Sequence, residues 1–267
     1  TLPVTPDAIL QNDTGVAGDG ITSDGTILVS GLTPGQVVEV RTSADGAWTP
    51  VTLTPLGGES GTFVLPVGNY ASVEVRAVDA EGNPSAPAEL GPIVVDQNVD
   101  TPNAALAFDT GLLSDDGVTK TGLISVTSNE PLSKVEYRNG GTGDWVVAEL
   151  SNGQFLLPAA TYDNLTVRVT DLAGNVSGEK QIGRIIVDTG IAPITAALAD
   201  DTGTVDVVTT DSTILVGNVE AGAVVQYHTG NAGASWQVAP YEDGQFVLPV
   251  GSYDNLIIRS IDLAGNI

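Results

Sequence analysis

Apolar and polar residues alternate along this chain in short runs. Val73, Val75 and Ala77 fall on one side of a pleat and Glu74 and Arg76 on the other, the two-residue period of a half-buried strand. Leu165, Val167 and Val169 stand opposite Thr166 and Arg168 in the same way. Between such runs lie turn-forming residues, among them Ala44-Asp45-Gly46 and Gly82-Asn83. No stretch sustains a 3.6-residue apolar period with caps, so helices are not expected. Over the first ninety-odd residues the pattern predicts strands near Asp7–Leu10, Thr26–Ser30, Gln36–Thr42, Trp48–Leu53, Thr62–Leu65, Val73–Val78 and Leu90–Val95. Seven short strands at this spacing are the count of an Ig-like sandwich.

The pattern occurs three times. Asp13-Thr14-Gly15, Asp109-Thr110-Gly111 and Asp201-Thr202-Gly203 are each followed, 35 or 36 residues on, by Trp48, Trp145 and Trp236. Phe63, Phe155 and Phe246 come next, each within Phe-(Val/Leu)-Leu-Pro. Seven residues later stand Tyr70, Tyr162 and Tyr253, and nine beyond those Asp79, Asp171 and Asp262, each leading to Gly-Asn. A period of about 92–96 residues is a whole domain rather than a solenoid unit. The expected fold is therefore all-β: three tandem Ig-like Greek-key sandwiches in an elongated array, spanning residues 1–97, 98–189 and 190–267. The tyrosines suit a tyrosine corner, in which the hydroxyl bonds nearby backbone. The tryptophans are expected one per core. The third copy stops at Asn266-Ile267, before any counterpart of Gly91–Val95. The expectation is a boundary within a longer array; the alternative is a groove filled in trans by a strand of another molecule.

Composition narrows the possible functions. Nine Lys+Arg against 33 Asp+Glu give a net charge of −24, which repels nucleic acid phosphates. There is no cysteine, so disulfides, thiolate metal sites and cysteine nucleophiles are excluded. No apolar run reaches the ~18–20 residues of a membrane span. The chain starts at Thr1 without a signal peptide and reads as an excised piece. His228 is the lone histidine, with no repeated base or nucleophile around it, so no enzyme is expected. With 5% aromatics, no sugar-binding cleft for a carboxylate-pair glycosidase is suggested.

Sandwich topology decides which loops meet. The loop after the first strand lies at the end where the last strand leaves, and the FG loop lies where the first strand of the next domain enters. The acids collect there. The AB loops carry Asp13, Asp19 and Asp24; Asp109, Asp115 and Asp116; Asp201, Asp206 and Asp211. The linkers read Val95-Asp96-Gln97-Asn98-Val99-Asp100-Thr101-Pro102 and Val187-Asp188-Thr189-Gly190-Ile191-Ala192-Pro193. Such hard oxygen donors suit Ca²⁺, whereas Zn²⁺ or copper would want His or Cys. Asp96-x-Asn98-x-Asp100 opens like an EF-hand loop, but Thr101 and Ala107 occupy the required glycine and glutamate positions and no helices flank it. The closer likeness is to the calcium-stiffened linkers of cadherin-like arrays. Each Asp has a plainer reading too, as an Asx-turn or hairpin former.

The Asp-Thr-Gly loop, the Phe-x-Leu-Pro strand and the run into Asp-Leu-Ala-Gly-Asn resemble the bacterial Ig-like repeats of giant surface adhesins exported by type I secretion, including RTX-type adhesins. The resemblance implies a secreted, cell-surface protein of many such domains, calcium at linkers and loops, and ligand-binding modules elsewhere in the parent. Its partners would be neighbouring domains of the same long chain, with host or abiotic surfaces gripped by other regions. Carried over by position, the ligands at the first junction are Asp13, Asp19, Asp96, Asp100, Asp171 and Asn175. At the second they are Asp109, Asp115, Asp188 and Asp262, where the counterparts of Asn98 and Asp100 are lost. The function expected is a structural extender. The alternatives are a glycan- or protein-binding module, for which the longer Thr52–Ser60 stretch is the one asymmetry, and a filament subunit completed by strand donation.

Overall fold

The computed structural model describes residues 2–202, 204 and 208–267; Asp206 lies outside the described residues. Its regular structure is all strand. The first repeat contains β1 (Asp7–Leu10), β2 (Ile21–Thr22), β3 (Thr26–Ser30), β4 (Val37–Arg41), β5 (Thr49–Val51), β6 (Thr54–Pro55), β7 (Gly61–Val64), β8 (Gly68–Tyr70), β9 (Val73–Val78), β10 (Ala88–Leu90) and β11 (Ile93–Val95). They pair as β1-β3-β7-β6, as β10-β9-β4-β5 and as a ribbon β2-β11-β8. The second repeat contains β12 (Asn103–Leu106), β13 (Val118–Thr119), β14 (Leu123–Thr127), β15 (Leu132–Asn139), β16 (Val146–Val147), β17 (Gln154–Leu156), β18 (Ala160–Asp171) and β19 (Lys180–Val187), in sheets β12-β14-β17 and β13-β19-β18-β15-β16. The third contains β20 (Thr195–Leu198), β21 (Thr213–Gly217), β22 (Val224–His228), β23 (Gln237–Val238), β24 (Gln245–Val247) and β25 (Ile257–Ile261), in sheets β20-β21-β24 and β23-β22-β25.

Each sandwich closes over its own core. In the first, Ile27, Val29 and Phe63 of one sheet meet Val38, Val40, Val73, Val75 and Ala77 of the other. The second core is built the same way from Ile124, Val126, Phe155, Val135, Leu165, Val167 and Val169, with Ile185 and Val187 added by β19. The third is smaller, resting on Ile214, Val216, Val225, Tyr227, Phe246 and Leu248. There, no described strand lies along the outer edge of β25. Burying a valine or isoleucine side chain contributes about 1.5–3 kcal/mol, and β3, β4 and β9 bring Ile27, Val29, Val38, Val40, Val73 and Val75 to the first core.

The tyrosine corners are present in all three copies: Tyr70, Tyr162 and Tyr253 donate to the carbonyls of Pro66, Pro158 and Pro249 at 2.7, 3.0 and 2.7 Å. The tryptophans depart from expectation. They are half-buried on the outer face of the sheet that carries the F strand, while Phe63, Phe155 and Phe246 are buried in the cores, joined by Tyr162 in the second and Tyr227 in the third. Each indole begins the strand after a tight turn and lies across arginines that point away from the core. Arg41 and Arg76 stand 4.9 and 4.2 Å from the Trp48 ring, and Arg138 and Arg168 stand 4.5 and 4.1 Å from Trp145. Desolvated stacks of this kind are worth up to about 2 kcal/mol.

The third copy of this stack is rewired. Arg259 lies 3.9 Å from Trp236, and His228 takes the place of the second arginine, tilted at 5.5 Å. The acid changes with it. Arg168 bonds Glu136 at 2.9 Å, whereas Arg259 bonds the neutral Gln226. His228 accepts the Gly230 N–H at Nδ1 and contacts the Ala234 carbonyl through Nε2. A ring carrying a proton on Nε2 and none on Nδ1 satisfies both contacts.

Glu136 sets up an acid response. Burial works to raise its carboxyl, but hydrogen bonds from Arg168 and Lys134 prevail and hold it below the usual range. A depressed folded-state value means that the contribution is complete above the unfolded carboxyl range and is lost as pH falls through the folded value. Glu136→Gln is expected to lower stability at neutral pH and to flatten the acid limb of unfolding in the second repeat. Urea midpoints measured from pH 7 down to pH 3 check this; parallel curves for wild type and variant would contradict it.

Candidate metal centres at the domain junctions

Three segments meet where one sandwich gives way to the next. Asp96 directly follows β11, and its N–H donates to the Thr22 carbonyl at 2.9 Å, extending the parallel β2–β11 ribbon by one bond. Asp188 follows β19 and is held by the Thr119 carbonyl at 2.9 Å. The last strand therefore delivers its terminal acid in a fixed direction.

Asp171 ends β18 and Asp262 follows β25; the two are 2% and 3% exposed. Each closes the FG turn on itself. The Asn175 N–H and Nδ2 donate to the two Asp171 carboxylate oxygens at 2.8 Å each, and Asn266 does the same to Asp262. The same Nδ2 groups reach across the junction to the Asp96 and Asp188 carbonyls, both at 2.9 Å. Asn175 thus links the linker to the turn through its amide nitrogen.

The third acid comes from the loop after the B strand. Glu130 Oε1 accepts the Asp100 N–H at 3.3 Å, and Glu220 Oε1 accepts the Ala192 N–H at 2.8 Å. Each glutamate steers the incoming linker and completes a cluster. Carboxylate oxygens of Asp96, Glu130 and Asp171 lie within 4.8 Å of one another, as do those of Asp188, Glu220 and Asp262. The sequence reading brought Asp96 with Asp171 and Asp188 with Asp262, but missed both glutamates. Strands β3, β14 and β21 end at Ser30, Thr127 and Gly217, and three residues on stand Thr33, Glu130 and Glu220. That alignment was the available signal; among the described residues no such cluster includes Asp79.

The other expected ligands lie elsewhere. Asp13 Oδ2 accepts the Gly18 and Gly20 N–H groups at 2.6 and 3.3 Å, and Asp109 Oδ2 accepts that of Gly117 at 2.9 Å, so both acids close their own AB loops. Oδ1 of each is buried without a hydrogen bond, which leaves one oxygen per loop to offer a cation. Asp19 is exposed and accepts the Ile21 N–H. Asp115 is exposed beside Asp116, which accepts the Val118 N–H. Asp100 is exposed and contributes no oxygen to the triad, although Asn129 Nδ2 lies 3.4 Å from its carboxylate.

None of the described ion pairs involves the six clustered acids. Two unit charges 4 Å apart repel by about 1 kcal/mol in water and about 4 at an effective dielectric of 20, a repulsion that a cation among the three carboxylates would relieve. Oxygens on opposite sides of a Ca²⁺ ion with bonds of about 2.4 Å are about 4.8 Å apart, and the observed spacing fits within that span. The clustered carboxylates are hard oxygen donors of the kind Ca²⁺ takes, with Asp171 and Asp262 buried and also accepting the Asn175 and Asn266 N–H groups, and no histidine or cysteine is among the clustered residues.

No protein-family model matches this sequence, and no curated protein matches it. The backbone is similar to several solved tandem β-sandwiches. The fibronectin(III)-like modules of Clostridium thermocellum CbhA align at 15% identity over 68% of this chain and 94% of that one, with a TM-score of 0.36. Chicken CNTN1 FN1-FN3 domains align at 15% identity over 98% and 95%, at 0.30. A tetra-tandem repeat in the extending region of a large adhesion protein aligns at 18% identity over 98% and 71%, at 0.26. Likeness at this level assigns no function, and the sandwich fold rests on the strand pairings and cores described above.

Proposed function

We propose that this chain is a structural extender segment of a secreted bacterial surface adhesin, a rod stiffened by Ca²⁺ at its interdomain junctions. One observation carries the reading. The same three-carboxylate cluster, drawn from linker, BC loop and FG turn, occurs at both junctions. A unique ligand site would need one copy, whereas a device that stiffens joints is needed at every joint. An ion bound there ties the end of one sandwich to two loops of the next and restricts bending about the linker. Extracellular modules commonly bind Ca²⁺ with Kd of about 10⁻⁴–10⁻³ M, so such joints would fill outside a cell and empty within it. Adhesion itself would belong to other regions of the parent protein. Small-angle scattering of the chain in millimolar Ca²⁺ and in chelator tests the proposal. The distance distribution should sharpen and its maximum settle at one value with Ca²⁺; identical curves would remove the ion from the account.

A further inference from the structure

A second contact crosses each junction and uses no carboxylate. Thr14 Oγ1 accepts the Ser23 N–H at 2.7 Å, which leaves its own proton to the Ala173 carbonyl at 2.6 Å in the next repeat. The Val16 N–H donates to the Leu172 carbonyl at 3.1 Å. At the second junction Thr110 Oγ1 accepts the Lys120 N–H at 2.9 Å and donates to the Ala264 carbonyl at 3.2 Å, while the Leu112 N–H donates to the Leu263 carbonyl at 3.3 Å. Gly15 and Gly111 are required by this approach. A Cβ on Gly15 would lie 2.1 Å from the Leu172 oxygen, and one on Gly111 would lie 2.2 Å from that of Leu263.

The FG turn of the first repeat, Asp79-Ala80-Glu81-Gly82-Asn83, shows what the contact adds. It has the same internal bonds, with the Asn83 N–H and Nδ2 donating to the Asp79 carboxylate. Gly82 also has the same φ of +87° as Gly174. Yet space is open around Gly82, whereas a Cβ on Gly174 would lie 2.9 Å from the Gly15 nitrogen. Glu81 is exposed, whereas Ala173 and Ala264 at the matching position are each 1% exposed. The turn therefore forms by itself, without a loop of another repeat against it.

We infer that the Asp13-Thr14-Gly15 and Asp109-Thr110-Gly111 loops are receptors for the Asp-Leu-Ala-Gly-Asn turn of the succeeding repeat, a latch of hydrogen bonds to backbone carbonyls, joined at the second junction by Lys120 Nζ to the Gly265 carbonyl at 3.2 Å, that closes without a metal ion and admits only a small residue at the third turn position. It sets the orientation of the two sandwiches before any ion binds, so Ca²⁺ strengthens a joint that is already closed.

Amide hydrogen exchange resolved by residue, on the whole chain in chelator, tests this. The Val16 and Leu112 amides report the latch because their acceptors belong to the neighbouring repeat. Both should be protected without metal. Ala173→Glu, which copies the turn of the first repeat, should release Val16 and leave Leu112 protected, the second junction serving as the folding control. Gly15→Ala acts from the other side of the same joint and should release Val16 while β18 and β19 stay protected. Val16 exchanging freely in chelator, or staying protected in Ala173→Glu, would overturn the latch. Protection that appears only with Ca²⁺ would also overturn it while leaving the ion reading intact. Protection in chelator with no response of melting or scattering to Ca²⁺ would retain the latch and remove the ion.

Discussion

Metal-free protein brought to about 10 mM Ca²⁺ should become more stable by about 2.7 kcal/mol per junction, the linkage gain for free ligand at one hundred times a Kd of about 10⁻⁴ M. For sandwiches of this size that corresponds to a melting shift on the order of 10 °C. The gain should be largest for the second repeat. It contributes Glu130 and Asp171 to one cluster and Asp188 to the other, so unfolding it breaks both sites. Magnesium should do much less, because it favours a strict octahedral shell with shorter bonds and gives up water reluctantly. Calorimetric scans in Ca²⁺, Mg²⁺ and chelator check the order. Equal melting in all three would mean that the carboxylates are solvated as they stand.

Glu130→Gln and Glu220→Gln should reverse sign with the ion. Glutamine keeps the Oε1 acceptor that holds the Asp100 or Ala192 N–H, so the linker keeps its path and only the charge changes. Without metal, each substitution removes one of three like charges from a cluster and should stabilise its junction by on the order of 1 kcal/mol. With Ca²⁺, the same change replaces a charged ligand by a neutral amide oxygen and should cost much of the linkage gain at that junction while the other keeps its own. A double-mutant comparison should be nearly additive, because the two clusters share no residue. A variant that is destabilised equally with and without calcium would show that the glutamates serve the loop and not an ion.

The strands were the readable part of the sequence. β1, β3 and β9 lie where the alternation placed them, because one face of each is buried and the pleat has a fixed period. The short ribbon strands β2 and β8 have two and three residues, too few to show a period, yet β2 fixes the direction in which Asp96 leaves. Alternation also assigns faces without saying which large residue fills which. Phe63 and Trp48 both read as core, but the indole is held outside by Arg41 and Arg76.

The clusters were legible by halves. Asp96 and Asp171 stand at strand ends, where topology predicts a meeting. Glu130 sits in Asn129-Glu130-Pro131, with no local signature, and becomes visible only when the B strands of the three repeats are aligned. The Asp-Thr-Gly motif was read as a turn or a ligand, and its acid does close a turn. The role of its glycine comes from the backbone of another domain, which no local pattern records.

The proposed stiffening depends on a cation sitting among linker, BC-loop and FG-turn carboxylates. The most direct measurement is a crystal structure grown in Ca²⁺, with anomalous scattering used to locate the ions. The account predicts a peak bonded to Asp96, Glu130 and Asp171 and a second bonded to Asp188, Glu220 and Asp262. Calcium found only at the Asp13 and Asp109 loops, or at neither junction with the acids turned to solvent, would contradict it.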